Sequence, residues 1–157
     1  MPVRKVRALL DAENVKYVTV SHSVAYTAQE IAASAHIKGK ALAKTVILKI
    51  DGKITMAVLP ANYKIDFDLI KEAFGSKDVR LSNEQEFKDK FPGCEVGAMP
   101  PFGNLYDVET FVAASLIDDN EIAFNAGTHT ELMKMQYKDY KNLVKPKVIR
   151  FSSKHKS

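Results

Sequence analysis

The chain has 157 residues, 46% of them hydrophobic, and its 23 Lys and Arg outnumber its 19 Asp and Glu to give a formal net charge of +4. This length and composition predict one domain with a real core, spanning residues 1–157, and exclude a disordered chain. A single cysteine excludes an internal disulfide and favours a reducing, cytoplasmic setting. We expect no membrane contact, because no export signal follows Met1 and no apolar run approaches the roughly 18 residues of a spanning helix.

The first part of the chain predicts a helix, a strand and a second helix. Apolar residues recur at helical spacing from Val3 to about Asn14, and residues 17–21 are typical of a short strand. Residues 27–30, Thr-Ala-Gln-Glu, form a capping box that predicts a helix to about Ala35.

A β-hairpin is predicted next. Two β-branched, apolar segments, residues 44–50 and 53–59, are separated only by Asp51 and Gly52. An Asp-Gly pair suits a two-residue hairpin turn because both turn positions require a positive φ angle.

Two short helices are expected after the hairpin. Asp66 predicts the start of a helix that ends at Gly75, and residues 79–81 are typical of a strand. Ser82 begins a second capping box, which predicts a helix ending near Phe91.

The second half of the chain begins with a loop rich in glycine and proline over residues 93–103. Strands are then expected at 108–116, 121–125, 132–135 and 148–151, with a helix at 138–143. Helices early and mostly antiparallel strands late predict an α+β domain with a curved, mixed, barrel-like sheet flanked by helices.

The C-terminal segment carries the basic surplus. Residues 145–157 contain five basic residues and no acid, which leaves 18 basic against 19 acidic residues elsewhere. We expect residues 152–157 to form a basic flexible tail. This tail is either a frayed, solvated end or a segment that contacts nucleic-acid phosphates.

Most common catalytic signatures are absent from the sequence. The four histidines, His22, His36, His129 and His155, do not have the spacing of metal ligands, so we expect neither a metal nor another cofactor. Residues 39–45 lack the second glycine of a phosphate-binding loop, and no Gly-x-Ser-x-Gly motif is present. Cys94 is more typical of an inert small residue than of a nucleophile.

Two features point to a site. Lys44 shares strand parity with Val46, Leu48 and Ile50, which are expected to face the core, and this places its ammonium at the rim of an apolar surface. The alternative is that Lys44 extends outward to solvent at the strand end. The segment 97–103, Gly-Ala-Met-Pro-Pro-Phe-Gly, either directs backbone amides at an anion or forms a rigid structural turn.

Together these residues resemble the YbaK/prolyl-tRNA-synthetase-associated editing-domain family. Residues 43–48 are similar to the family's lysine-bearing strand, residues 97–101 to its Gly-x-x-x-Pro loop, and residues 125–129 to its late glycine-bearing strand end. A weaker similarity covers residues 22–32 and includes Tyr26. The resemblance extends over about residues 15–150.

The resemblance implies a free-standing hydrolase that acts in trans on the ester bond of mischarged aminoacyl-tRNA without a metal. It implies that the amides of Gly97, Ala98 and Met99 bind the ester oxygen, while Lys44 holds the terminal phosphate or the carbonyl. The terminal ribose 2′-hydroxyl is implied to assist the attacking water. The residues implied to line the substrate pocket are Tyr26, Pro101, Gly127 and His129.

The implied partners are mischarged tRNA and a cognate aminoacyl-tRNA synthetase. One alternative is a non-catalytic tRNA- or protein-binding module that has kept the fold. Another is a hydrolase for a different small acyl ester, which would not require RNA. Deacylation of tRNAs charged with Ala, Ser, Cys or Pro distinguishes these possibilities.

Overall fold

The computed structural model describes residues 2–21, 42–95, 98–118, 120–128 and 131–154. The α-helices in these ranges are α1 (Pro2–Ala12), α2 (Phe67–Phe74), α3 (Glu84–Phe87) and α4 (Tyr137–Val144). The strands are β1 (Tyr17–Ser21), β2 (Ala43–Ile50), β3 (Lys53–Pro60), β4 (Tyr63–Ile65), β5 (Val79–Leu81), β6 (Glu109–Ala113), β7 (Glu121–Asn125), β8 (Glu131–Gln136), β9 (Lys147–Ile149) and β10 (Ser152–Lys154). Short 3₁₀ helices cover Gly103–Leu105 and Ala114–Asp118.

The described strands form three sheets. A five-stranded sheet has the order β5-β2-β3-β6-β9, a three-stranded sheet has the order β1-β8-β7, and β10 pairs with β4. The predicted α+β class with a mixed sheet is confirmed, although the described strands do not close into one barrel. The late strands are not all antiparallel, because β6 pairs in parallel with both β3 and β9.

The five-stranded sheet is buried on both faces. On β2, Ile47 faces the larger core cluster, which also contains Met56 and Val58 of β3. Leu48, one residue further along, faces a second cluster with Leu59, and α2 covers this cluster through Ile70. Successive side chains of a strand point to opposite faces of the sheet. Because both faces are buried here, β2 has apolar residues at neighbouring positions.

The predicted hairpin and the two ends of α2 are confirmed. Asp51 and Gly52 have φ angles of +51° and +83°, which the turn between β2 and β3 requires. The Asp66 carboxylate accepts hydrogen bonds from the amides of Asp68 and Leu69 at the start of α2. Gly75 ends α2 in the left-handed conformation with a φ of +63°.

Helix α3 differs from its prediction. Asn83, not Ser82, caps it, and Glu86 completes the capping box by accepting from the Asn83 amide. Glu86 also binds Arg80 and Lys49, and these bonds hold the pKa of Glu86 well below its usual range. The helix ends at Phe87 rather than near Phe91.

One other predicted element is shorter than expected, and one lies outside the described residues. The strand predicted over 108–116 stops at Ala113, and a 3₁₀ helix then buries Leu116 completely. A continuous apolar run does not by itself distinguish a strand from a buried helical turn. The helix predicted from residue 27 lies outside the described residues.

The C-terminal segment also corrects the prediction. The last predicted strand, 148–151, is present as β9 but covers Lys147–Ile149. An unpredicted strand, β10, follows and pairs with β4 in the register Ser152↔Ile65 to Lys154↔Tyr63. Residues 152–154 are therefore strand and not flexible tail. Within the described ranges, no helix is long and apolar enough to span a bilayer.

Candidate active site

Lys44 lies near the start of β2, opposite Leu59 of β3. It is on the row that carries Leu48 and Ile50 into the second core cluster, as the strand parity predicts. Lys44 is half-buried, and this burial lowers the pKa of its ammonium. Among the described residues Lys44 has no ion-pair partner, whereas the Nζ of Lys49 on the same strand lies 2.7 Å from Glu86. A partly desolvated, unpaired cation is able to bind an anion strongly.

The chain just before β2 is joined to the middle of β7, and the two segments run in the same direction. Leu42, two residues before Lys44, forms a parallel bridge with Ala123, four residues before Gly127. Leu42, Ala123 and Leu132 are buried together in a small cluster. The strand that carries Lys44 and the glycine-bearing end of β7 are therefore neighbours.

Gly127 in turn fixes the loop after Glu95. Its amide donates to the Ala98 carbonyl at 2.8 Å, and its carbonyl accepts from the Glu95 amide at 2.8 Å. Gly127 has a φ of +105°, a conformation that favours glycine. The structure thus brings together three of the sequence segments that were predicted to form a site: the start of β2, the loop at Ala98 and the end of β7.

The backbone hydrogen bonds of the Ala98 loop argue against one predicted role. The Ala98 amide donates to the Glu95 carbonyl at 3.0 Å, so it is not free to bind an ester oxygen. The Met99 amide has no hydrogen-bond acceptor among the described residues. Ala98 and Met99 are only 1% and 4% exposed, respectively. Met99 is therefore the described residue of the predicted trio with an available amide.

Tyr140 of α4 supports the same loop. The sequence predicts no role in a site for this residue. The Tyr140 hydroxyl donates to the Pro101 carbonyl at 2.6 Å. The Tyr140 ring is fully buried and lies 5.5 Å from the Phe102 ring, in an edge-to-face arrangement. In the sequence, Tyr140 is an ordinary apolar position of a helix, and no local signal predicts its partner.

Cys94 lies close to this loop but lacks the environment of a nucleophile. Its Sγ is 3.6 Å from the Tyr106 hydroxyl oxygen, and burial raises the pKa of the thiol. Over the described ranges, no group of three or more His, Cys, Asp and Glu side chains could hold a metal ion. Tyr26, Gly97 and His129, which were also predicted for the site, lie outside the described residues.

The chain is similar to known proteins in both sequence and fold. Residues 22–143 match the aminoacyl-tRNA editing domain. Over 153 residues the chain is 28% identical to the multifunctional Ser/Thr-tRNA deacylase ProXp-y of Escherichia coli strain K12, covering 92% of this chain and 89% of the relative. Proline–tRNA ligase of Bacillus mycoides strain KBAB4 is 25% identical over 104 residues, which are 64% of this chain and 18% of that enzyme.

The fold has a solved counterpart. A crystal structure assigned as a trans-editing enzyme for prolyl-tRNA synthetase superposes with a TM-score of 0.82 at 17% identity, covering 97% of each chain. At that identity the likeness establishes the fold. The family match spans most of the sequence and includes the start of β2, the Ala98 loop and Gly127. This chain therefore belongs to the aminoacyl-tRNA editing domain family.

Proposed function

We propose that this protein is a trans-editing deacylase that hydrolyses the ester bond of mischarged aminoacyl-tRNA. Its membership of the editing-domain family supports this activity, as does its similarity to the E. coli deacylase over most of both chains. One structural observation carries the proposal: the half-buried, unpaired ammonium of Lys44 lies on a strand joined, through β7 and Gly127, to the Ala98 loop.

The chemistry requires few protein groups. Water adds to the carbonyl carbon of the ester, and the carbonyl electron pair moves to oxygen. The ester C–O bond then breaks, and the terminal ribose oxygen leaves and receives a proton. An aminoacyl ester is already reactive, so an enzyme contributes mainly by positioning the water and stabilising the oxyanion.

In this proposal Lys44 and the Met99 amide are the groups that stabilise negative charge. Lys44 binds either the oxyanion or the terminal phosphate, and its partial desolvation strengthens that interaction. The raised pKa of the Cys94 thiol argues against a covalent acyl intermediate at that residue. Activation of the water is assigned to the ribose 2′-hydroxyl of the substrate.

The remaining pocket residues and partners are also part of the proposal. Pro101 and Gly127 flank the site from the loop and from the end of β7, and Tyr26, Gly97 and His129 complete it. A cognate aminoacyl-tRNA synthetase is the proposed source of mischarged substrate. The cytoplasm, where tRNA is charged, is the proposed location.

A deacylation panel tests this function. The wild-type protein is incubated with tRNAs mischarged with Ala, Ser, Thr, Cys or Pro, and hydrolysis above the uncatalysed rate is expected for at least one of them. Lys44→Ala should lower kcat/KM at least about tenfold, which corresponds to about 1.4 kcal/mol less transition-state stabilisation.

Lys77→Ala is the matched control, because Lys77 is exposed and forms no ion pair with a described residue. Lys49 is unsuitable as a control, since its removal breaks the contact with Glu86. Binding of tRNA without hydrolysis of any member of the panel would instead indicate a non-catalytic module. Equal hydrolysis of a small acyl ester that lacks RNA would indicate the other alternative.

A further inference from the structure

We propose that the outer edge of β9 is the surface that binds the phosphate backbone of the tRNA acceptor arm. This inference rests on the proposed function. The surface, named here the basic edge, consists of Lys145, Lys147 and Arg150. Lys145 ends α4 in the left-handed conformation, Lys147 begins β9, and Arg150 follows it.

The charge of the basic edge is not neutralised within the protein. All three residues are exposed, and in the part of the chain that the structure describes none of them lies within 4 Å of a carboxylate. They belong to the segment 145–157, which has five basic residues and no acid, while the rest of the chain has 18 basic and 19 acidic residues. A polyanion is therefore attracted to this segment more than to the average surface.

The sheet places the basic edge in line with Lys44. Strand pairing runs across the sheet from Lys147 to Phe111, Ala57 and Val46. Three strand spacings of 4.7–4.9 Å put β9 about 14 Å from β2. Lys44 and Arg150 are displaced toward the same end of the sheet, because β2 is antiparallel to β3 while β6 and β9 are parallel to it.

This distance suits an extended RNA end. With the aminoacyl ester at Lys44, the basic edge lies about 14 Å away across β3 and β6. In this proposal the nucleotides preceding the ester follow this direction. The basic edge then meets the backbone rather than the bases. This is the type of contact that positions a nucleic acid without reading its sequence.

The local structure of β9 also favours binding of the RNA phosphate backbone. In the described ranges β9 is the last strand of its sheet, so its outer main-chain groups have no strand partner. The Lys147 ammonium lies over the Phe74 ring, 5.2 Å from its centroid, which restrains the lysine without neutralising it. Glu72 and Glu109 line the grooves beside β9, so a phosphate backbone at this edge is expected to contact the basic side chains rather than to enter the grooves.

A salt-dependent binding measurement tests the basic edge. The triple variant K145Q/K147Q/R150Q is compared with K77Q/K88Q/K90Q, which removes the same charge from exposed lysines that precede β5 and follow α3 in the sequence. Binding of uncharged tRNA is titrated at several salt concentrations, and KM is measured with a mischarged tRNA. Circular dichroism confirms that both variants are folded.

For the basic-edge variant we expect weaker binding at low salt and a higher KM. The slope of log K against log salt should also become shallower by about 0.7 to 0.9 for every phosphate that the variant no longer neutralises. The control variant should keep the wild-type slope. Equal slopes for the two variants, or wild-type affinity for the basic-edge variant, would overturn the proposal for the basic edge. The proposed function would still stand if the wild-type protein deacylated a mischarged tRNA. Failure of the wild type to deacylate any mischarged tRNA would count against the proposed function instead.

Discussion

Replacing Tyr140 by Phe removes a single oxygen atom beneath the loop that we place in the active site. Tyr140 is 0% exposed, and its hydroxyl is 2.6 Å from the Pro101 carbonyl. The Phe ring would keep the packing against Phe102, so the main effect is removal of the donor to a buried carbonyl. Leaving a buried carbonyl unsatisfied costs about 1–3 kcal/mol. For a chain of this length each kcal/mol lowers Tm by roughly 2–4 °C, so we expect a decrease of roughly 2–12 °C.

Helix α4 also supplies a matched control. Tyr137, one turn earlier, has a buried hydroxyl with no hydrogen-bond partner among the described residues. Tyr137→Phe leaves no group unsatisfied, so its Tm should equal or exceed that of the wild type. Thermal unfolding and steady-state deacylation are measured for both variants. We expect kcat to fall for Tyr140→Phe because the Ala98–Pro101 loop loses its support. Equal stability of the two variants, or a Tyr140→Phe protein with wild-type Tm and kcat, would refute this reasoning.

Partial burial lowers the pKa of Lys44 from 10.5. The rate of enzymatic deacylation, corrected for the uncatalysed rate, should therefore decline at a lower pH than that at which an exposed lysine loses its proton. A rate that stays constant at alkaline pH would contradict the proposed role of the Lys44 ammonium. Folding disfavours the charged form of Lys44, and Lys44→Met should therefore raise Tm while it removes activity; a lower Tm would show that the ammonium has a stabilising partner. A substrate with a terminal 2′-deoxyribose should be hydrolysed much more slowly but bound almost as well, and equal rates would point to a protein base, with His129 the first to test. Deacylation should persist in EDTA, and a loss of turnover that zinc restores would refute metal-independent hydrolysis.

The local features of the fold could be predicted because their causes are local. The Asp51-Gly52 turn and the caps of α2 at Asp66 and Gly75 each depend on a few adjacent residues, and the structure has them as predicted. The pairing of β4 with β10 could not be predicted in this way. Each strand has three residues, too few to show a period, and each exists because the other is beside it.

The site was predictable to a similar extent. Strand parity identified Lys44, and the sequence pattern drew attention to Gly127 and to the loop at Ala98. The hydrogen bond from Tyr140 to Pro101 joins residues 39 positions apart, so only the folded chain reveals it. The partner of the Ala98 amide is also set by the path of the loop, and the hydrogen bond to Glu95 argues against the predicted donor role of that amide.

The bridge between Leu42 and Ala123 divides the site between two independently hydrogen-bonded bodies. Lys44 belongs to the five-stranded sheet, while Gly127, which is hydrogen-bonded to the Ala98 carbonyl, follows β7 of the three-stranded sheet. Over the described residues the backbone pairing between those two sheets is this one bridge, which is packed by Leu132. A larger side chain at Ala123 would therefore change the spacing of the two sheets, and with it the distance between Lys44 and the segment at Gly127. Substitutions that change the size of residue 123 therefore test how strongly the proposed site depends on the spacing of the two sheets.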